Sequence, residues 1–112
     1  MKFTEEQSGR LTVLRPLHPR LDASTATALR EALIDRISRG DLSIILDLGE
    51  VTFMDSSALG ALIAAAKRLG PTGTIAVAAM AAPVAKLFAV TRMDRVFSVN
   101  ASVQDAVKAL GG

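Results

Sequence analysis

The sequence predicts a single α/β domain over residues 1–112: a central mixed β-sheet, opened by a β-hairpin, with about four helices around it. Two short extended segments come first. Apolar branched runs then alternate with amphipathic ones, a pattern met most economically by a sheet layered with helices. A chain of 112 residues can bury one core and leaves no room for a second. Apolar residues make up 50% of the chain and aromatics only 4%, with no Trp or Tyr, so packing falls to Leu, Ile, Val, Ala and a few Phe.

Residues 2–7 and 10–15 read as the hairpin strands, with Ser8-Gly9 as the turn signal and Leu11, Val13 and Arg15 on one face. Pro16 and Pro19 end the second strand, because proline lacks an N–H and restricts the residue before it. A loop carries His18 to Asp22. From Ala23 to Arg39 the apolar positions Ala26, Leu29, Leu33 and Ile37 recur at helical spacing, with Gly40 as the stop. Leu42 to Leu48 suits a strand buried on both faces. A helix over 56–69, a turn at Pro71-Thr72-Gly73 and a strand over 74–79 come next. Pro83 opens a helix to Val90, Val96 to Val99 forms a last strand, and Ala101 to Leu110 a final helix capped near Asn100 or Ala101. This order gathers the loops at Asp22, Asp55 and Ala81 at one end of the sheet.

Composition excludes several function classes. The net charge of +2 comes from 13 basic and 11 acidic residues interspersed along the chain, without the basic stripe and stacking aromatics of a nucleic-acid partner. Cysteine is absent, which removes disulfides, thiolate metal sites and cysteine nucleophiles and fits a reducing compartment. The N-terminus has no apolar signal-peptide core, and the longest apolar stretch, Ile75 to Ala85, is too short to span a bilayer. A soluble, cytoplasmic protein without membrane insertion is expected. The sole histidine, His18, has no evident catalytic partner, and the Asp55-Ser56 junction lacks both an imidazole and a Gly-x-Ser-x-Gly pattern. Asp47, Glu50 and Asp55 could pass for a metal cluster, but Asp47 in a strand and Glu50 in a turn read as solvated ends. No enzyme, cofactor or metal is expected.

The informative junction is Asp55-Ser56-Ser57-Ala58-Leu59-Gly60, where an apolar strand gives way to a helix. The first helical turn carries unpaired N–H groups and the positive end of the macrodipole, so it tolerates a phosphate. Asp55 or Ser56 acting only as a helix cap is the plainer reading. On a helical wheel Leu59, Leu62, Ile63, Ala66 and Leu69 face the core, leaving Ser57 nearly opposite and Ser56 on the flank. The same wheel turns Ala61, Ala64 and Ala65 outward beside Ser57, as a smooth strip suited to a docking protein.

Asp55-Ser56-Ser57-Ala58-Leu59-Gly60, preceded by Leu46-Asp47-Leu48 and Val51-Thr52-Phe53-Met54, closely resembles the signature of bacterial anti-sigma-factor antagonists, the STAS-domain family. Leu21-Asp22, Pro83-Val84-Ala85-Lys86-Leu87-Phe88 and Met93-Asp94-Arg95-Val96-Phe97 extend the likeness over nearly the whole chain. The resemblance implies a partner switch. The unmodified protein binds an anti-sigma factor that is also a serine kinase, freeing a sigma factor. Phosphorylation ends the complex, and a metal-dependent serine/threonine phosphatase restores it. It implies Ser56 as the modified residue, ahead of Ser57, and Asp22 as a kinase contact. Partner binding is thus expected at Asp22, Asp55, Ser56, Ser57, Ala58, Ala61, Ala64 and Ala65. The family's usual glycines before the Leu-Asp and near Arg92 are replaced here by His18-Pro19-Arg20 and by Arg92 itself. The same family also contains non-switching binding modules, among them lipid-transport subunits and nucleotide-binding regulatory domains.

Overall fold

The structure, a computed structural model, describes residues 1–111. Strands β1 (Phe3–Ser8) and β2 (Leu11–Pro16) form the expected antiparallel hairpin. Its turn is Gly9-Arg10, with Gly9 at φ +63°, a conformation glycine adopts without a Cβ penalty. After β3 (Arg20–Leu21) come α1 (Ala26–Ser38), β4 (Ser43–Asp47), β5 (Phe53–Met54) and α2 (Ser56–Leu69). The chain then runs through β6 (Thr74–Ala78), α3 (Ala82–Val90), a 3₁₀ turn at Met93–Arg95, β7 (Ser98–Asn100) and α4 (Val103–Ala109).

The main sheet has the order β1-β2-β4-β6-β7, antiparallel only at the hairpin. Each parallel step advances in the same direction across the sheet. Crossovers of one hand therefore place α1, α2 and α3 on one face. There Leu29, Leu33, Leu62, Val84 and Phe88 close over Leu14, Ile44, Leu46, Ile75 and Val77. The other face has a smaller core of Leu11, Val13, Ile45, Ala76 and Ala78, covered by Ala106 of α4.

The final helix begins later than the sequence suggested. Its cap is Ser102, whose hydroxyl accepts from the Asp105 amide at 3.1 Å. The first helix likewise starts at Ala26, because residues 22–25 form a turn in which Asp22 carbonyl accepts from Thr25 and Ala26. Asp47 corrects another expectation. It is buried rather than solvated, and its carboxylate accepts from Arg15 Nε and from the Gly49 amide, both at 2.9 Å. The hydrogen bond to Asp47 holds the Arg15 guanidinium above its ordinary pKa.

Candidate functional site

A two-stranded ribbon that periodicity could not reveal builds the site. β3 and β5 pair in parallel, Arg20 with Phe53 and Leu21 with Met54. Leu21 and Met54 are buried in the core, so strand alternation puts Arg20, Asp22, Phe53 and Asp55 on the outer side. The ribbon is anchored at both ends. Pro19 carbonyl accepts from the Thr52 amide at 2.8 Å and from the Phe53 amide at 3.2 Å, and Leu21 carbonyl accepts from the Asp55 amide at 3.1 Å. The register therefore sets Asp22 level with Asp55, one residue before the start of α2.

Asp55 caps that helix. Its Oδ1 accepts from the Ser57 amide at 2.9 Å and the Ala58 amide at 3.2 Å, while its carbonyl accepts from Leu59 at 3.1 Å. Capping and modification were alternatives in the sequence. Here the cap falls to Asp55, and Ser56 and Ser57 stay exposed. The helix mouth is nonetheless largely taken, since the amides that would have met a phosphate already serve the Asp55 carboxylate. A phosphate on Ser56 would add negative charge beside a carboxylate instead of filling an empty anion site.

Asp22 is held by its own turn. Its Oδ1 accepts from the Ser24 hydroxyl at 2.6 Å and the Ser24 amide at 3.0 Å, and its Oδ2 lies 3.5 Å from Arg20 Nε. The Ser24 hydroxyl, with further help from the Ser24 amide and Arg20, keeps the Asp22 carboxyl below its ordinary range. Arg20 also stacks over the exposed Phe53 ring, its guanidinium carbon 4.1 Å from the centroid. His18 is held locally, with Nδ1 lying 2.8 Å from the Arg20 carbonyl and 3.1 Å from the Arg20 amide.

The alanine strip is the main correction. Ala58, Ala61 and Ala65 are buried at 0%, 7% and 0% exposure, and Ala64 is half-buried. They lie where α2 meets α1. Helix α2 has two buried faces, one of leucines against the sheet and one of alanines that lets α1 approach closely. The wheel had assigned only the first. What remains open is a groove of about 230 Å³ between the helices, lined by Ala26, Thr27 and Arg30 of α1 and Ser57, Gly60, Ala61 and Ala64 of α2. The structure thus brings Asp22, Asp55, Ser56 and Ser57 together, removes Ala58 and Ala65 from the accessible surface, and leaves Ala61 and Ala64 in the wall of the groove. Sequence reasoning missed Arg20, Phe53 and Arg30. The first two meet only through the two-residue strands, and Arg30 is one of many helical cations.

Residues 2–106 match the STAS domain family, and the chain belongs to it. Among solved structures it is similar to an anti-sigma factor antagonist from Mycobacterium paratuberculosis, with 23% identity, coverage of 99% of this chain and 94% of that one, and a TM-score of 0.90. It is also similar to the anti-sigma factor antagonist SpoIIAA in its unphosphorylated form (23% identity, 99% and 97% coverage, TM-score 0.81). The phosphorylated form of the Bacillus cell fate determinant SpoIIAA aligns over 97% of this chain and 99% of that one at 21% identity, with a TM-score of 0.73. The shared mixed α/β fold with four helices is the one the sequence predicted. Among the described residues, no helix is long and apolar enough to cross a membrane.

Proposed function

We propose that this protein is an anti-sigma-factor antagonist in a phosphorylation-controlled partner switch. The unmodified form binds an anti-sigma factor with serine kinase activity and frees a sigma factor; phosphorylation of Ser56 blocks that complex. A metal-dependent serine/threonine phosphatase resets it. The protein acts by binding rather than catalysis. One observation carries the reading: Ser56 is exposed at the first position of α2, beside two carboxylates, and the nearest helix amides are already committed to Asp55. The existence of SpoIIAA, a neighbour in fold, in phosphorylated and unphosphorylated forms supports it.

The energetics favour a switch by charge alone. A phosphate brings about −1.5 to −2 charges to a spot beside Asp22 and Asp55, where Arg20 is already paired with Asp22 and Arg30 stands in the neighbouring groove. Burying that uncompensated charge against a partner costs several kcal/mol. At about 1.4 kcal/mol per decade, affinity falls on the order of a thousandfold. Incubation with serine kinases from the source genome, followed by mass spectrometry, should find one phosphate, on Ser56. Ser56→Asp should lose the anti-sigma complex, and a complex indifferent to Ser56→Asp and Ser56→Glu would overturn the reading.

A further inference from the structure

The small net positive charge is unevenly distributed along the chain. Residues 1–55 hold seven basic and nine acidic side chains, whereas residues 56–100 hold Lys67, Arg68, Lys86, Arg92 and Arg95 against the single acid Asp94. These five cations fall on the last turn of α2, on α3 and on the 3₁₀ segment, all of which are exposed there. The elements adjoin, since Val96 and Phe97 share a crevice with Ala66, Leu69 and Gly70. Among the described residues none of the five forms an ion pair.

Two further features belong to the same patch. Val90 and Val96, at 67% and 55% exposure, are the most exposed large apolar side chains among the described residues. Arg92 sits at φ +61°, ψ +23°, a left-handed conformation that penalises any residue with a Cβ and favours glycine. A long cation is thus kept where the backbone suits glycine. Backbone strain of this kind points to a role for the segment that carries it.

We infer that this face adsorbs to an anionic lipid surface, with Lys67, Arg68, Lys86, Arg92 and Arg95 meeting the headgroups and Val90 and Val96 touching the interface. The five cations are exposed on three different elements and carry no ion-pair partner among the described residues, which suits an extended surface of negative charge. Nucleic acid is disfavoured because the neighbouring aromatics, Phe88 and Phe97, are buried at 1% and 2% exposure and offer no stacking surface. This is peripheral contact, not insertion. It occupies the end of α2 opposite Ser56, about 20 Å away for 14 residues. Adsorption through Lys67 and Arg68 at that end leaves the serine exposed.

The test is co-sedimentation of the full chain with phosphatidylcholine vesicles, with and without phosphatidylglycerol, at low and moderate salt. Adsorption is expected only with phosphatidylglycerol, weakening as salt rises. Each cation removed should lower partitioning about fivefold. Arg92→Gly is the decisive variant, because it should bind vesicles less while melting at a higher temperature, so unfolding cannot explain the loss. Arg92→Gly combined with Arg95→Gln should lower partitioning about 25-fold. Failure of the wild type to adsorb at low salt, equal adsorption to both vesicle types, or wild-type adsorption by the double variant overturns the inference. Binding of polyglutamate without binding of phosphatidylglycerol vesicles also overturns it, and assigns the face to an acidic protein.

Discussion

Replacing Ala65 by leucine separates a helix–helix contact from a docking face. Ala65 is fully buried and lies with Ala58 and Ala61 on the side of α2 that meets α1. Leucine adds three carbons where the helices are in contact, and overpacking of a filled core costs about 1 to 3 kcal/mol. For a domain of 112 residues, each kcal/mol moves the melting midpoint by about 4 to 6 °C, so the variant should melt about 4 to 18 °C lower. Circular dichroism melts, with urea titrations checking that the m-value is unchanged, measure the effect. Ala64→Leu is the internal control. Ala64 is half-buried beside the open groove, and its substitution should cost less than about 1 kcal/mol. An unchanged midpoint for Ala65→Leu, with loss of the anti-sigma complex, would refute the packing argument and restore the strip as a docking surface.

Asp47→Asn keeps the shape of a buried side chain but weakens its bonds to Arg15 and Gly49. Equilibrium unfolding should show a loss of about 1 to 3 kcal/mol. Ala79, at the exit of β6, has φ +60°; Ala79→Gly relieves that conformation and should stabilise the fold by about 1 kcal/mol, read as a raised melting temperature. Asp22, whose carboxyl is depressed chiefly by the Ser24 hydroxyl, contributes stability above the ordinary carboxylate pKa. That contribution disappears as pH falls through the lower folded value. An NMR titration should place its midpoint below the ordinary carboxylate range, and Ser24→Ala should move it up.

The large elements were legible because their signals are local and long enough to repeat. The span of α2 matches the expectation at both ends, with Asp55 as its cap and Gly70 at its close, since polar cap, apolar period and terminal glycine all agree there. The ribbon of β3 and β5 was not legible. Two residues cannot display a period, and the pairing joins positions more than thirty residues apart in sequence. Alanine misled for a different reason. It is the best helix former on a solvated face and also the residue that lets two helices meet closely, so Ala61 and Ala65 fit either place in sequence and only the packing of α1 decides between them. Arg92 departs from the glycine common to such sequences, and its positive φ supplies the physical reason for that glycine.

Moving the alanines into the core also changes what a phosphate would do. A docking face along the length of α2 would put Ser56 at its margin, where a partner could tilt away from added charge and keep most of its contact. With Ala58 and Ala65 covered, the surface left near the serines is short: the ribbon with Arg20, Asp22 and Phe53 on one side, and the groove with Thr27, Arg30, Gly60 and Ala61 on the other. Ser56 lies between them. Under the switch reading a partner that engages both sides has to cover Ser56, so the phosphate cannot be left in solvent. The thousandfold effect then depends on coverage, and a partner variant that contacts only the Arg30 groove should lose most of its sensitivity to Ser56→Asp. Calorimetric titration of such a variant against both forms measures this, and sensitivity equal to that of the full partner would show that the charge acts through the fold instead.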